Sequence, residues 1–420
     1  MSRCDIHMLY TDRRPPLHLI PMTQVPPAAQ IPAWTARSAL NFVLLFGVVS
    51  LFADFAYEGA RSVNGPFLGL LGASGLAVGV IAGAGELLGY TLRLVSGRAA
   101  DRTRLYWPIA LLGYVVQMAA VPALALAGSW QAAAVLIVLE RAGKAIRKPA
   151  TGVMLSEAGT VIGRGWAFGV HDALDKFGAL CGPLSVAWLL ARHQTDYRLA
   201  FAWLGVPALL CLTLVLTARL RFANAGRRAH HGAAAADGRY PPAFWWYLAG
   251  AGLVGFGFAD FPLIAYHFTR TGSVDAVSVP LFYAAAMGAG GAASLLFGKL
   301  YDRSGLIVLV PLTLLVAAFP PLVFFGHFNA ALLGALLWGI GLGVHESVMS
   351  AAVAGMVPSR RLGSAYGLFT AIFGLAWFAG SATLGALYDV SITATVAVAV
   401  AAQLLALPPL LVAARKLRGA

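Results

Sequence analysis

Long apolar segments separated by short polar stretches dominate the pattern along the chain. Each segment has about the 20 residues that a helix needs to cross the ~30 Å hydrocarbon core of a bilayer. Charged residues, or clusters of Gly and Pro, end the segments. The pattern predicts twelve transmembrane helices, over residues 38–58, 75–97, 106–127, 130–151, 165–191, 198–219, 242–268, 277–299, 306–326, 329–355, 362–387 and 391–414.

The twelve segments form two groups of six, separated by a polar gap over residues 220–241. The gap combines arginines, a His-His pair, four consecutive alanines and a Pro-Pro pair, which is typical of a flexible linker. Residues 1–37 are polar and rich in proline, so a disordered tail is expected there, with Met22 as an alternative start. The predicted domains are the N-tail 1–37, an N-terminal six-helix bundle 38–219, the linker 220–241, a C-terminal six-helix bundle 242–415 and the C-tail 416–420.

The composition agrees with a polytopic membrane protein. Hydrophobic residues make up 59% of the chain and charged residues 11%, which is less than half the ~25% of a typical soluble domain. An ordinary soluble enzyme has too little interior to bury so much apolar surface. The three cysteines show no CxxC spacing and the chain has no P-loop, so we expect no metal site, no cofactor and no ATP-driven pump.

The distribution of cations predicts the orientation. With the N-terminus placed inside, 22 of the 30 Lys and Arg residues fall in the tails, the linker and the loops on the inner side or at the segment ends that adjoin them. The opposite loops are expected to hold Arg61, Arg192, Arg198 and Arg270. This asymmetry predicts a cytoplasmic (inner) membrane protein with both termini cytoplasmic. It also accounts for most of the net charge of +13, so no nucleic-acid partner is needed.

Three short motifs recur roughly 200 residues later in the chain. The repeated pairs are Gly97-Arg-Ala-Ala-Asp101-Arg102 with Gly298-Lys-Leu-Tyr-Asp302-Arg303, Ala53-Asp54-Phe55 with Ala259-Asp260-Phe261, and Gly165-Trp-Ala-Phe-Gly169 with Gly363-Ser-Ala-Tyr-Gly367. They fall at equivalent places in the two groups of segments. The repeats indicate two parallel six-helix units related by an axis along the membrane normal.

Across residues 38–415 the sequence resembles the major facilitator superfamily. The two Gly-x-x-x-Asp-Arg loops resemble the family signature, and the fifth segment has the glycine spacing of the antiporter motif of proton-coupled drug exporters, Gly169, Gly178, Gly182 and Pro183. The chain departs from that motif at Val186-Ala187, where the family has a glycine pair.

The resemblance implies an all-α fold of twelve transmembrane helices in two pseudo-symmetric bundles, and secondary transport by alternating access. It implies that Gly97, Asp101, Arg102, Gly298, Asp302 and Arg303 latch the bundles together in one state. It also implies that the glycines of the fifth segment form a close interface that seals the pathway against proton leak. Generic close packing of small residues is the alternative interpretation of those glycines.

Ionisable residues inside the segments are the candidates for function, because a charge near the bilayer centre normally faces a cavity or a partner. The proton-coupling candidates are Asp54, Glu58, Glu86, Asp172, Asp175, Asp260 and Glu346. Candidates for contact with the substrate or with these carboxylates are Arg141, Lys144, Arg147, Lys176, His345, Trp338 and Trp377. We expect the cations of the fourth segment to cluster with Asp172, Asp175 and Glu86; a permanent structural salt-bridge network is the alternative.

The sequence therefore predicts a transporter that is not an enzyme and that works as a monomer on a small-molecule substrate in the lipid bilayer. Proton-coupled export of a hydrophobic or amphipathic molecule is favoured by the glycine spacing. Proton-driven import of a metabolite or organic anion is the alternative. A receptor of the same fold that has lost transport, or a polytopic membrane enzyme, is a more distant alternative.

Overall fold

We describe the protein from a computed structural model, which describes residues 34–226, 240–357 and 362–418. Sixteen α-helices occupy these ranges. In the N-terminal half they are α1 (Ala36–Leu70), α2 (Gly75–Thr103), α3 (Tyr106–Ala123), α4 (Trp130–Ile162), α5 (Arg164–Arg192), α6 (Tyr197–Trp203) and α7 (Gly205–Arg221). In the C-terminal half they are α8 (Pro242–Phe256), α9 (Phe261–Thr271), α10 (Ser278–Ser304), α11 (Leu309–Val316), α12 (Phe319–Phe325), α13 (Phe328–Met356), α14 (Leu362–Val390), α15 (Ile392–Leu405) and α16 (Leu407–Arg418).

These helices reproduce twelve membrane-crossing segments. Within the described ranges, ten helical stretches are long and apolar enough to span a bilayer. One stretch, Ser278–Phe325, contains both the eighth and the ninth predicted segments, and the strongly charged α4 is the remaining crossing. The all-α membrane class predicted from the sequence is therefore confirmed. Most of the linker lies at 227–239, outside the described residues, so the domain boundaries stay a prediction.

Helix α1 is longer than its sequence pattern indicated. It begins after Thr35, which forms a capping box with Ser38, and runs to Leu70 instead of ending near residue 58. The expected loop position of Arg61 is therefore wrong, because this residue lies inside α1 and is buried. A membrane helix continues through a charged residue when that residue finds a partner or a cavity, which a hydropathy pattern does not reveal.

The seventh predicted segment is not one continuous helix. It breaks between α8 and α9 at residues 257–260. Asp260 accepts a hydrogen bond from the backbone N–H of Phe261 at 2.9 Å, and Pro262 occupies the first turn of α9, where its missing N–H costs nothing. The break places the Asp260 carboxylate at the start of α9 and fixes its position inside the protein.

Two glycines of α5 allow that helix to contact α1 directly. A Cβ placed on Gly178 would lie 2.1 Å from the carbonyl oxygen of Leu51, and one on Gly182 would lie 2.2 Å from that of Phe55. In contrast, a Cβ on Gly169 meets nothing within 4 Å. The glycine motif of α5 therefore has a packing role at two of its glycines and none at the third.

This difference predicts the outcome of a pair of alanine substitutions. Gly178→Ala should destabilise the purified protein by about 1–3 kcal/mol, because backbone atoms must move to admit the methyl group. Gly169→Ala is the matched control and should change stability by less than about 0.5 kcal/mol. Thermal denaturation in detergent measures both variants. Equal stability of the two would contradict the close α1–α5 contact.

At one end of the molecule the two halves of the chain meet in a tight seal. A Cβ on Gly65 would lie 1.9 Å from the carbonyl oxygen of Pro262, and one on Gly79 would lie 2.2 Å from that of Ser381. The carboxylate of Asp389, at the end of α14, accepts hydrogen bonds of 2.8 Å from the N–H groups of Gly75 and Leu76. Asp389 thus caps the N-terminus of α2 from the opposite half of the chain.

Candidate substrate cavity and charge network

A cavity of about 410 Å³ lies between the two halves, beyond the seal along α1, α2 and α14. The N-terminal half lines it with Asp54, Tyr57, Glu58, Arg61, Gly85, Glu86, Gly89, Tyr90, Arg93, Arg141, Lys144, Lys148, Asp172, Asp175 and Lys176. The C-terminal half lines it with Gly290, Ser294, Leu342, Gly343, His345, Phe369, Thr370, Phe373 and Trp377.

The two walls of the cavity differ in chemistry. Among the described lining side chains, every Asp, Glu, Lys and Arg comes from α1, α2, α4 or α5. The opposite wall consists mainly of small residues and of the rings of Phe369, Phe373 and Trp377, and among its described residues His345 is titratable. The cavity can therefore hold a molecule with a charged part against one wall and an apolar part against the other.

Arg61 connects the two halves of the chain through buried ion pairs. Its Nη2 atom lies 2.9 Å from Oδ1 of Asp260 in the C-terminal half and 3.4 Å from Oε1 of Glu86 on α2. The side chains of Arg61 and Asp260 are only 8% and 1% exposed. Relative motion of α1 and α9 at this point must break the pair, which makes it a candidate for control of the conformational cycle.

A second group of ion pairs surrounds Asp54. The Nζ atom of Lys144 lies 3.3 Å from Oδ1 of Asp54, and Nη2 of Arg147 lies 3.5 Å from the same atom. Lys144 also sits 3.7 Å from the ring centroid of Tyr57, in a cation–π contact. Two cations of α4 therefore share one carboxylate of α1.

Another cation of α4, Arg141, forms an ion pair with α2. The Nη1 atom of Arg141 lies 2.6 Å from Oε1 of Glu86, while its Nε atom lies 3.9 Å from Glu140. Behind the cavity, Gln117 donates to Glu140 at 3.2 Å and accepts from Nε of Arg147 at 2.7 Å. These hydrogen bonds join the ion pairs of α1, α2 and α4 into one connected system.

Glu58 has the weakest ionic contact of this system. Its Oε1 atom lies 4.0 Å from Nζ of Lys144, and its other oxygen accepts a short hydrogen bond from the hydroxyl of Tyr283 on α10. The side chain lines the cavity. Glu58 is thus accessible from the cavity, weakly paired, and bonded to the opposite half of the chain.

These contacts define a charge network of five carboxylates and four cations. The carboxylates are Asp54, Glu58, Glu86, Glu140 and Asp260, and the cations are Arg61, Arg141, Lys144 and Arg147. Within the described part of the chain, the Asp, Glu, Lys and Arg side chains of the network carry one more negative than positive charge. One added proton makes this set neutral.

The structure places most of the residues singled out from the sequence at the cavity or beside it. Lining residues among them are Asp54, Glu58, Glu86, Asp172, Asp175, Arg141, Lys144, Lys176, His345 and Trp377. Asp260 and Arg147 are buried within the charge network. Their roles in coupling and binding stay predictions, and the side chain of Glu346 lies outside the described part.

Other residues lie elsewhere than expected. Asp172 and Asp175 share the cavity with the cations of α4 but form no ion pair with them among the described contacts; Asp175 instead accepts from the hydroxyl of Ser50 at 2.5 Å. Trp338 is fully buried, donates to the carbonyl of Ala259 at 2.9 Å and does not line the cavity.

The residues expected to act as a latch lie at the ends of α2 and α10. Asp101, Arg102, Asp302 and Arg303 are exposed there. A Cβ added to Gly97 would lie 3.5 Å from the Cβ of Pro149 on α4. A Cβ added to Gly298 would meet nothing within 4 Å. The latch itself stays a prediction.

Sequence reasoning missed several members of the site. Arg61, Glu140 and Tyr283 belong to the charge network or bind it, yet none was a candidate. A signal for Arg61 did exist, because residues 54, 58 and 61 follow each other at spacings of four and three and so share one face of a helix.

Comparison with known proteins identifies the family. Residues 38–381 match the Major Facilitator Superfamily. An uncharacterized protein of Mycobacterium tuberculosis is 42% identical over 381 residues, which cover 89% of this chain and 92% of that protein. An uncharacterized MFS-type transporter of Methanocaldococcus jannaschii is 29% identical over 156 residues, covering 37% of this chain and 39% of that protein.

Solved structures share the fold at low sequence identity. A peptide transporter POT in complex with sulfate aligns with a TM-score of 0.72 and 16% identity, covering 89% of this chain and 93% of that chain. A bacterial homolog of the human lysosomal transporter Spinster, in an inward-facing and unoccupied conformation, aligns with a TM-score of 0.68 and 14% identity, covering 91% and 98%. The chain therefore belongs to the Major Facilitator Superfamily, as a multi-pass membrane transporter and not an enzyme.

Proposed function

We propose that this transporter moves an amphipathic small molecule by alternating access and couples that movement to protons. The supporting observation is the surplus carboxylate of the charge network. A buried set of five carboxylates and four cations favours uptake of a proton, and the proton changes the ion pairs that join the two halves. The transporter is proposed to work as a monomer in the cytoplasmic membrane, with both termini in the cytoplasm. In that orientation the seal at loop 71–74 faces outward.

Glu58 is the proposed carrier of the proton. It is reachable from the cavity and its nearest cation, Lys144, is 4.0 Å away. Its bond to Tyr283 links α1 to α10, so protonation alters a contact between the halves. Asp54 and Glu86 are less suitable, because a proton on either would disrupt closer ion pairs, with cations at 3.3 Å and 2.6 Å.

The substrate is proposed to be amphipathic because of the two unlike walls of the cavity. A purely apolar molecule would leave the charged wall of α1, α2, α4 and α5 without compensation. A small hydrophilic molecule would leave Phe369, Phe373 and Trp377 without apolar contact. A molecule with an apolar ring and one polar group satisfies both walls.

The direction of transport depends on how the proton and the substrate interact. If they compete for the cavity, the inward flow of protons drives export; if they bind together, it drives uptake. The glycine spacing of α5, which resembles that of proton-coupled exporters, supports export. The alternative is proton-driven uptake of a metabolite or organic anion.

Accumulation of ethidium in cells that lack their own exporters tests the export proposal. Expression of the protein should lower accumulation, and a protonophore added midway should abolish the difference. Unchanged accumulation, despite confirmed expression in the membrane, would reject broad export and leave uptake of a narrow substrate class as the better proposal.

The role of Glu58 predicts a pH response that needs no substrate. Thr370 lines the cavity, so a cysteine placed there, in a variant without native cysteines, reports access through its labelling rate. A proton on Glu58 would loosen its contacts with Lys144 and Tyr283, so acidification should speed labelling from the side of loop 71–74 several-fold. Glu58→Gln should remove this response.

Asp172→Asn is the matched control for that measurement. Asp172 lines the same cavity but lies outside the charge network, so the variant should keep the pH response. A response that survives in Glu58→Gln, or that disappears in the control, would rule out Glu58 as the carrier.

A further inference from the structure

We infer that Arg93 of α2 and Lys148 of α4 bind an acidic group of the transported molecule, which makes the substrate an amphipathic organic anion with a carboxylate or a phosphate. This inference rests on the proposed transport function and names its substrate class. Neither residue belongs to the charge network, and neither was a candidate for substrate contact in the sequence.

The cations of α4 that the sequence predicted as candidates for substrate contact are already occupied. Arg141 binds Glu86 at 2.6 Å, and Lys144 and Arg147 share Asp54. An acid that approached them would have to displace protein carboxylates held nearby. The network as a whole carries surplus negative charge, so it would repel an anion unless it held a proton.

Arg93 and Lys148 differ from these cations because no carboxylate of the described residues forms an ion pair with them. Both line the cavity, and neither lies within ion-pair distance of an Asp or Glu in the described part of the chain. The Nε atom of Arg93 is buried and has no hydrogen-bond partner there. Two unpaired cations within membrane helices are costly unless water or a ligand compensates them.

Packing between α2 and α4 brings both cations to the same cavity. The hydroxyl of Ser96 donates to the carbonyl of Ala145 at 3.1 Å, with Arg93 one turn before this contact on α2 and Lys148 one turn after it on α4. The two cations are close enough to repel each other. An acid group between them would relieve that repulsion and accept hydrogen bonds from both.

The aromatic wall lies next to this pair of cations. The guanidinium of Arg93 is 5.5 Å from the ring centroid of Tyr90, and that ring meets Phe373 of the opposite half edge-on at 6.0 Å. Phe369 and Trp377 continue the wall. A molecule whose acid group reaches Arg93 and Lys148 can therefore place an aromatic or other apolar part against α14.

Two carboxylates of α5 face the same cavity and limit the strength of this site. Asp175 is within electrostatic range of Lys148, but it lies beyond ion-pair distance and accepts from Ser50. Asp172 is exposed to the cavity.

An acidic substrate also has a consequence for direction. A proton on the charge network removes negative charge from the cavity and so strengthens the binding of an acid. The acid and the proton would then bind together, which favours the alternative of uptake with protons over export.

Binding of matched naphthalene compounds tests the inference. Full-length protein in phosphatidylcholine nanodiscs would be titrated with naphthylacetate, naphthyl phosphate, naphthylacetamide and naphthylmethylamine, with thermal stabilisation as the readout. The two acids should bind at least about tenfold more tightly than the amide and the amine. Arg93→Gln/Lys148→Gln should weaken the acids by about tenfold or more and change the amide by less than about twofold.

Controls separate this site from general charge effects and from lipid. Arg98→Gln/Lys299→Gln removes two exposed cations outside the cavity and should leave all four affinities unchanged. The single variant Lys148→Gln, at an exposed side chain, provides a second test should the double variant fail to fold. Addition of phosphatidylglycerol to the nanodiscs should not compete with the acids; competition that disappears in the double variant would assign the site to a lipid headgroup instead.

The outcomes distinguish this inference from the transport proposal. Equal binding of acids and amide, or acid binding that survives in the double variant, would overturn the inference. Acid binding through Arg93 and Lys148 without any proton movement in liposomes would uphold the anion site and reject proton-coupled transport. Proton-coupled flux of a cationic compound, with no binding of the acids, would uphold proton-coupled transport and reject the anion site.

Discussion

Replacement of Arg61 by glutamine should abolish transport and strongly destabilise the protein. The variant leaves Asp260, which is 1% exposed, without its cation, and it removes one of the two cations that bind Glu86. Removal of one partner of a buried ion pair costs about 3–5 kcal/mol, because the remaining charge stays buried and uncompensated. The network would then hold five carboxylates and three cations, so it would need two protons to become neutral where the unchanged protein needs one.

Thermal denaturation of the purified variant and proton flux in liposomes measure the two effects. Arg270→Gln is the matched control, because Arg270 also pairs with a carboxylate, Asp389 at 3.6 Å, but is 52% exposed. An exposed pair is worth at most about 1 kcal/mol, so this variant should lose little stability. The double variant Arg61→Gln/Asp260→Asn should recover part of the lost stability, since it removes the uncompensated charge as well. No recovery would mean that the pair does not explain the loss.

The class of fold could be predicted from the sequence because each apolar segment has a length set by the bilayer. The prediction was weaker where a helix depends on tertiary contacts. Hydropathy ended α1 near residue 58, yet the helix continues through Arg61 because the charged side chain finds partners on α2 and α9. Hydropathy likewise could not reveal the break before α9, which depends on the local bond between Asp260 and the N–H of Phe261.

The candidate site was predicted in part for the same reason. Depth along a segment was enough to select Asp54, Glu86 and Arg141, because a charge far from both ends of a segment needs a partner or a cavity. The ion-pair partner of each residue could not be predicted from the sequence, since it depends on how the helices rotate and pack. The cations of α4 were expected beside Asp172, Asp175 and Glu86; Arg141 does bind Glu86, but Lys144 and Arg147 bind Asp54 of α1 and not the carboxylates of α5. Trp338 looked suited to the cavity by depth alone, yet its ring faces the packed interior.

The second large effect is expected at the seal between the halves. Gly79 lies where α2 crosses α14, and an added Cβ would be 2.2 Å from the carbonyl oxygen of Ser381. Gly79→Ala therefore cannot fit without separating α2 from α14 at this end of the molecule. The capping of α2 by Asp389 would weaken together with that contact. In the state that is open on this side the seal is already separated, so that state should tolerate the methyl group.

Gly79→Ala should consequently shift the population toward the state open at loop 71–74. Overpacking costs about 1–3 kcal/mol, which corresponds to a shift of roughly 5- to 150-fold between two conformations. Labelling of a cysteine at position 370 with an impermeant maleimide, in intact cells and in inverted vesicles, would measure the shift. The labelling rate should rise from the side of loop 71–74 and fall from the opposite side. Net transport should slow, because the seal no longer closes. Gly288→Ala on α10, where an added Cβ meets nothing within 4 Å, should leave both labelling rates as they were. Labelling unchanged in Gly79→Ala would mean that the α2–α14 contact does not control access to the cavity.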